Sequence, residues 1–157
     1  MIERLGVGKN MSARSFVIKP ADRKTALSVL GTQVTVLASS DDTSDQQITL
    51  QSGAEGTGPP PHSHDWDESF YVSSGQIQFT CGGETTMCVA GTFVHVPAGT
   101  VHSFSYGRDG GEMIEITGRR SNAVDVFTAL AREMPAGPPD VAKAIQVLGE
   151  HGVKVHL

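Results

Sequence analysis

Short runs of β-forming residues, each closed by a turn residue, constrain the fold of this chain more than any other feature. The runs are rich in Val, Ile, Thr and Phe, and each is bounded by Gly, Pro, Asp or Ser. No helical periodicity separates them, which predicts antiparallel strands joined by tight turns in a sandwich or barrel. The runs are 15–18, 33–38, 47–51, 69–73, 76–81, 86–90, 92–96, 101–106 and 112–117.

The pattern changes to a helical one after Gly118. Apolar residues recur at the spacing of one helix face in 122–133, with Ser121 or Asn122 as the N-cap. A Pro- and Gly-rich break follows, and 140–150 carries a second apolar face. The sequence therefore predicts two helices joined by a linker at the C-terminal end of the chain.

We expect one domain, because 157 residues are enough for a single hydrophobic core. Residues 1–118 are assigned to a β-barrel with N-terminal edge strands, and 119–157 to a helical tail packed on the same domain. The net charge is -5, and Lys and Arg are scattered singly apart from Arg119-Arg120, so no nucleic-acid partner is expected. No apolar run reaches the roughly 18 residues that span a bilayer, and the first residues do not resemble a signal peptide. The expected location is cytoplasmic, with no membrane partner.

Two glycine-containing pairs, Ser74-Gly75 and Gly82-Gly83, are the best predicted hairpin turns. Cys81 and Cys88 flank the second turn and can face each other across its hairpin. In a reducing cytoplasm we expect free thiols, with a disulfide as the alternative.

Two histidines and a glutamate share a predicted inward face. His62 and His64 are two positions apart, and residues so spaced on a strand point to the same side, roughly 6.6 Å apart. Glu68 follows a short Asp-Trp-Asp turn and opens the next strand, where Phe70 and Val72 share its parity. The spacing predicts that two imidazoles and one carboxylate enter one cavity.

A second stretch adds a further histidine. Residues 91–102 contain a strand, a Pro/Gly turn and His102, which shares parity with Phe104 and Tyr106 and is expected to face inward. Three imidazole nitrogens and one carboxylate oxygen suit one divalent transition-metal ion, namely Fe, Mn, Ni, Zn or Co, and leave coordination positions open. Open positions are what a catalytic metal needs.

These two stretches resemble the paired motifs of the cupin superfamily, G-x5-H-x-H-x3-E-x6-G and G-x5-P-x-G-x2-H-x3-N, and span residues 56–106. Every defining position of the first motif is filled. In the second, Tyr106 stands where the family has Asn, and the other positions match. The matching residues are Gly56, His62, His64, Glu68 and Gly75, then Gly91, Pro97, Gly99 and His102.

The resemblance implies an all-β fold, the cupin double-stranded β-helix or jelly-roll barrel, followed here by the two-helix tail. It also implies a metal ion held by His62, His64, Glu68 and His102. The tail, a helix, Pro-Ala-Gly-Pro-Pro-Asp and a second helix, resembles single-domain cupins grouped with quercetin dioxygenases. This implies a metal-dependent dioxygenase in which Glu68 stays a ligand or acts as general base. Tyr106 is a second catalytic candidate, which would orient substrate or dioxygen; the alternative is a packing residue.

Other functions stay open on the residues alone. The same ion can act as a Lewis acid in an isomerase, cyclase or lyase that uses no dioxygen. A cupin without turnover can bind or sense a small molecule, and a barrel without metal is the simplest alternative. No Lys or Arg shares inward parity beside the predicted ligands, which favours an uncharged, largely apolar or aromatic small-molecule substrate. The apolar residues of inward parity are Phe70, Val72, Ile77, Phe79 and Phe104.

We further expect a homodimer, because edge strands and amphipathic tail helices need cover, with residues 16–18 as a shared edge. Trp66 and Tyr71 flank the ligand strand and are interpreted as an oligomer contact in preference to a rim for an aromatic substrate. His95 is expected at the surface or beside the ligands rather than as a ligand.

Overall fold

The structure is a computed structural model, and it describes residues 14–134 and 136–157. The strands are β1 (Leu27–Val29), β2 (Thr32–Ala38), β3 (Gln46–Gly53), β4 (His62–Ser63), β5 (Glu68–Cys81), β6 (Glu84–Val89), β7 (Phe93–Val96), β8 (His102–Gly118) and β9 (Lys154–Val155). The helices are α1 (Ser40–Thr43), α2 (Ala123–Glu133) and α3 (Val141–Glu150), and a 3₁₀ turn spans Pro20–Asp22.

All strand pairs are antiparallel, and the sheet is built around β5 and β8, the two longest strands. Strands β3, β2 and β1 continue from one half of β8, while β6 and β7 pair with successive parts of β5. The short strand β4 joins the beginning of β8. The antiparallel sheet is followed by two helices, which confirms the predicted all-β fold with a helical C-terminus.

Gly75 is a bend within a strand and not a hairpin turn, so the prediction for Ser74-Gly75 was wrong. Runs 69–73 and 76–81 are the two halves of β5, and 101–106 and 112–117 are joined within β8. Gly75 has a φ of 70°, and a Cβ there would lie 2.3 Å from the carbonyl oxygen of Gly110. Glycine is needed because two backbones meet at this point. The Gly82-Gly83 hairpin is confirmed.

The predicted strand 15–18 was also wrong, because this segment pairs with no strand among the described residues. Phe16 and Val17 are exposed there, Val17 by 84 %. The first strand of the described chain is instead β1, a three-residue strand that pairs with β2 across the turn at Leu30-Gly31. A three-residue strand is too short for alternating apolar and polar residues to be recognised in the sequence.

The two predicted tail helices are confirmed, and Gln47 of β3 attaches the first of them to the barrel. Its side-chain oxygen accepts the backbone N–H of Val124, and its amide donates to the carbonyl oxygen of Ser121. The Ser121 hydroxyl accepts the N–H of Ala123. After α3 the chain forms β9, which pairs with β4, the strand that begins at His62.

Two apolar clusters form the core. The barrel cluster contains Phe70, Phe79 and Phe104, whose ring centroids are 5.1–5.9 Å apart, and it confirms the inward parity predicted for these strands. The second cluster lies between the helices and β1 and β2, and its buried members are Val29, Val34, Trp66, Val126, Ala129, Leu130, Val147 and Val153. A cavity lies where the two clusters meet, beside the histidines.

The cysteines do not face each other across the β5–β6 hairpin. Cys88 is opposite Ile77, and Cys81 is opposite Glu84, so the thiols are free as expected. Among the residues that the structure describes, no helix is long and apolar enough to cross a membrane.

Candidate metal centre

Three histidines from three parts of the chain meet at one end of the barrel. His62 opens β4, His102 opens β8, and the two are direct cross-strand partners with ring centroids 4.2 Å apart. The His64 ring lies 5.8 Å from that of His62 and 5.0 Å from that of His102. One nitrogen from each ring can be chosen so that all three lie within 4.8 Å of one another. The chain thus brings together the three histidines predicted from the motif.

Each of these imidazoles has its Nδ1 fixed by a backbone carbonyl. The Nδ1 atoms of His62, His64 and His102 lie 2.8, 2.9 and 2.9 Å from the carbonyl oxygens of Pro60, Trp66 and Thr100. A carbonyl oxygen only accepts, so each Nδ1 carries the proton, and Nε2 is the nitrogen left with a lone pair in the neutral ring. This second hydrogen bond is the usual support of a metal-bound histidine.

The Glu68 carboxylate lies beside two of the three histidines. Its Oε2 lies 3.1 Å from Nε2 of His64 and 2.9 Å from Nε2 of His102. A carboxylate oxygen and neutral nitrogen lone pairs repel one another, so a cation must be shared between them, either protons on the rings or a metal ion. Three Nε2 atoms and one carboxylate fit a divalent transition metal, so the donor chemistry of the site suits such an ion.

Burial and neighbouring charges set the protonation of these groups. Burial alone would raise the pKa of Glu68, but hydrogen bonds from His102 and His64 and the charges of these rings lower it to about 2. Burial, and then the charge of His102, lowers the pKa of His62 to about 4. Burial alone would lower the pKa of His102. The hydrogen bond to Glu68, the negative charge of Glu68 and the hydrogen bond to the Thr100 carbonyl outweigh it and raise the pKa of His102. At neutral pH Glu68 is ionised and His62 is neutral.

Trp66 is buried in the chain and lines the cavity, so its interpretation as an oligomer contact was wrong. The indole stacks on the His64 ring, with centroids 4.2 Å apart and planes inclined by 5°. Trp66 is 6 % exposed because α2 and α3 cover it. Tyr71 lies on the outer face of the sheet and is 45 % exposed. The sequence could not separate these two aromatic residues, because only the packing of the tail does so.

A cavity of about 90 Å³ is lined in part by His62 and His64. Most of its wall is apolar and comes from both core clusters and the helices. Among the described lining residues there is no Lys or Arg, as the sequence predicted. The polar lining residues are Thr32, Gln51, His62, His64, Glu68 and Glu115, and the apolar side chains include Val34, Trp66, Phe70, Phe104, Val126, Phe127, Leu130, Leu148 and Val153.

Gln51 and Glu115 were missed by the sequence analysis. Each is 2 % exposed, and Glu115 accepts a hydrogen bond from the side-chain amide of Gln51. Burial, and then the negative charge of Glu68, raises the pKa of Glu115 well above its usual range, against the effect of the Gln51 hydrogen bond. The signal lay in residues 47–51 of β3 and 114–117 of β8, where polar and apolar residues alternate, but alternation does not say which face is inside.

Tyr106 belongs to the buried barrel cluster. It is 1 % exposed and meets the Phe104 ring edge-on at 5.8 Å. Burial, followed by the charges of Glu115 and Glu112, raises the pKa of Tyr106. Its hydroxyl has no hydrogen-bond partner among the described residues. Phe104 contributes to the described cavity wall and Tyr106 does not, so its catalytic role stays a prediction.

His95 is exposed on β7, where its Nδ1 lies 2.9 Å from the Ser69 hydroxyl oxygen. It takes no part in the histidine group, in line with the expectation of a surface position.

The family of the chain follows from its sequence match to a domain model together with this geometry. The model described as a cupin domain matches residues 48–116, which include all four predicted ligands. This match assigns residues 48–116 to a cupin domain. The predicted family resemblance is thereby confirmed, and the histidine group lies at the position that the cupin motifs assign to metal ligands.

Known proteins that this cupin resembles have diverse activities. It is 38 % identical over 79 residues to quercetin 2,3-dioxygenase of Bacillus subtilis, a match that covers 48 % of this chain and 23 % of that protein. The chain thus spans less than a quarter of that relative's length.

Among solved structures, the polyketide cyclase RemF from Streptomyces resistomycificus matches with a TM-score of 0.61 at 19 % identity, over 68 % of this chain and 81 % of that one. KdgF from a Halomonas species matches with a TM-score of 0.63 at 19 % identity, over 71 % and 99 %. At this level of identity the structures share the fold.

Proposed function

We propose that this cupin is a metal-dependent dioxygenase of the quercetin dioxygenase-like type, acting on a small, uncharged, largely apolar or aromatic substrate. The observation that carries the proposal is the set of three imidazoles with every Nδ1 bonded to a carbonyl, and with Nε2 atoms and Glu68 beside an apolar cavity. The sequence match to quercetin 2,3-dioxygenase supports the choice of reaction.

Held by His62, His64, His102 and Glu68, a redox-active divalent ion would supply positive charge and open coordination positions for oxygen-containing molecules. The surrounding apolar side chains exclude water, which strengthens electrostatic interactions at the site. In a dioxygenase both atoms of dioxygen enter the substrate, so the substrate itself provides the electrons and no external reductant is needed.

Glu68 is the residue best placed to move a proton. It is ionised at neutral pH and can therefore accept a proton, and its carboxylate lines the cavity. Glu68 would accept the proton of a substrate hydroxyl at Oε1 or Oε2 and thereby favour the electron-rich form of the substrate that dioxygen attacks. The stacked Trp66 ring holds His64 in place while this happens.

The test combines elemental analysis of protein purified without added metal with oxygen-electrode measurements on flavonols, catechols and diketones. We expect dioxygen uptake in proportion to substrate loss in the wild-type protein, and none in His62→Ala/His64→Ala. His95→Ala is the matched control, because it removes an exposed histidine of the same barrel.

The same experiment separates the rival functions. Turnover that continues without dioxygen would replace the dioxygenase by a Lewis-acid isomerase, cyclase or lyase. Binding without turnover, with and without air, would indicate a small-molecule-binding protein.

A further inference from the structure

A buried polar pair interrupts the apolar wall of the cavity. Glu115 Oε2 accepts the Gln51 amide, which also donates to the Thr49 hydroxyl oxygen at 3.1 Å. Among the described residues no other donor reaches Glu115 and no Lys or Arg pairs with it. Its second oxygen, Oε1, therefore has no partner within that part of the chain.

The strand register places this pair close to the metal ligands. Glu68 is opposite Thr117 on β8, and Phe70 is opposite Glu115. Glu68 and Glu115 are therefore diagonal neighbours on the inward face, and their Cα atoms are roughly 7–8 Å apart across the two strands. One ring of a small molecule spans such a distance, and both residues line the same cavity.

A carboxyl oxygen that lines an apolar cavity without a partner in the protein has an unused capacity for hydrogen bonding. Such a group calls for an explanation, and a ligand that completes its hydrogen bonds provides one. A ligand hydroxyl can donate to Oε1 of Glu115 when the carboxyl group is ionised, and can accept from the group when it is protonated. No cation on the described wall would compensate the charge of a carboxylate or phosphate, so an uncharged ligand fits this site better.

We infer that Glu115 and Gln51 form a specificity-determining subsite that hydrogen-bonds a hydroxyl group of an uncharged substrate, at the end opposite to the group that meets the metal ligands. The inference rests on the proposed function only for the end of the substrate that meets the metal ligands. A site built to hydrogen-bond a hydroxyl discriminates strongly against the analogue that lacks it, because its own polar groups are then left unpaired.

Two hydroxypyranones provide a matched pair of probes. Kojic acid and allomaltol chelate metal ions through the same two oxygens, and differ in that kojic acid carries a hydroxymethyl group where allomaltol carries a methyl. We expect calorimetry on the zinc-loaded protein to show kojic acid binding about tenfold more tightly, as one hydrogen bond to such a group predicts. Zinc is chosen because it has no redox chemistry, so binding is measured without oxidation.

In Glu115→Leu the preference for kojic acid should disappear while the affinity for allomaltol and the zinc content stay unchanged. Gln51→Leu/Glu115→Leu serves the same purpose if the single variant fails to fold, because replacing both hydrogen-bond partners leaves no unpaired group. Glu112→Leu is the matched control: it removes a carboxylate of the same strand that bonds to Ser73 and not to the pair.

The results of these binding measurements separate the subsite from the proposed function. Equal affinity of the wild-type protein for both probes, or a preference that persists in both leucine variants, would overturn the subsite while leaving the metal end intact. If neither probe bound to protein that holds zinc by elemental analysis, the subsite and the proposed substrate site would both be wrong. Absence of dioxygen uptake with the preference intact would contradict the dioxygenase alone.

Discussion

On β3 and on residues 114–117 of β8, the inner face is polar and the outer face is apolar, the reverse of the usual arrangement. Inward positions are Thr49 and Gln51 on β3 and Glu115 on β8, all buried, whereas Leu50 and Ile114 point outward. Antiparallel sheets normally keep the apolar face on the core and the polar face in water. The polar inner face lines the cavity beside the histidines, and the apolar outer face is partly exposed in the single chain.

The outer face carries a continuous apolar row across four strands. Leu50 pairs with Ile114, Ile114 with Tyr71, and Tyr71 with Phe93, which is 62 % exposed. This outer apolar row has no Asp, Glu, Lys or Arg, so two copies can face each other without like-charge repulsion. We propose that a second copy of the chain covers it, which would form the predicted homodimer by sheet-on-sheet packing.

The largest effect is expected from the inner face. His62→Ala/His64→Ala removes two of the three imidazoles, and with them the convergence of nitrogen donors on one ion. We expect the bound metal to fall from about one equivalent per chain to almost none, measured by elemental analysis after gel filtration. His95→Ala should keep its metal. A double variant that retained one equivalent would show that the ion lies elsewhere.

Charged substitutions on the outer face should change the oligomeric state of the protein and leave its metal content unchanged. Tyr71→Glu/Phe93→Glu puts like charges opposite each other in the outer apolar row of a symmetric pair. We expect light scattering to show a dimer for the wild-type protein at micromolar concentration, a monomer for this variant, and unchanged metal content in both. Glu115→Gln, on the inner face, should remain a dimer. A monomeric wild-type protein with a cooperative melt would refute the interface.

The sequence predicts the site better than its surroundings, and the reason is physical. Metal ligands need particular residue types at fixed spacing, so His62, His64, Glu68 and His102 form a recognisable pattern before any packing is known. The strands and tail helices were also predictable, because they follow from local periodicity.

Burial of the other residues depends on contacts between distant segments. Trp66 is covered by helices that begin more than fifty residues later. Alternation showed that β3 has two faces but could not say that Gln51 is inside. Gly75 resembles a turn residue, and only its close approach to Gly110 distinguishes a bend from a hairpin.

Removing the metal should lower stability without unfolding the barrel, since the core clusters are apolar and lie beside the ligands. Binding to the folded state alone adds RT ln(1 + [M]/Kd), roughly 2.7 kcal/mol at a hundredfold excess over Kd. For a domain of this size we expect Tm to fall by roughly 5–10 °C after chelation. The measurement is circular dichroism. A random-coil spectrum after chelation, with the folded spectrum regained when metal is added, would show that the barrel needs the ion to fold.

The two buried carboxyl groups of the inner face should affect stability in opposite senses in metal-free protein. The raised pKa of Glu115 means that its contribution is favourable below its ordinary value of 4.5 and is lost as pH rises toward the folded pKa. Glu115→Gln should therefore raise Tm at neutral pH and change it little near pH 4. Glu68, with a pKa of about 2, contributes above 4.5 and loses that contribution as pH falls toward 2.

Glu68→Gln should accordingly lower Tm at neutral pH, by an amount that shrinks on acidification. Thermal melts of both variants and the wild-type protein between about pH 4 and 8 compare the two groups directly. Shifts of the same sign at neutral pH would contradict the difference in environment between Glu68 and Glu115.

X-ray absorption spectroscopy at the metal edge of protein purified without added metal tests the central claim most directly. The account predicts a first shell of three imidazole nitrogens and one carboxylate oxygen, at about 2.0–2.2 Å if the metal is zinc. Imidazole multiple scattering should be lost in His62→Ala/His64→Ala and kept in His95→Ala. A first shell that contains sulfur, as Cys81 or Cys88 would supply, or water oxygens alone, would contradict the assignment of His62, His64, His102 and Glu68.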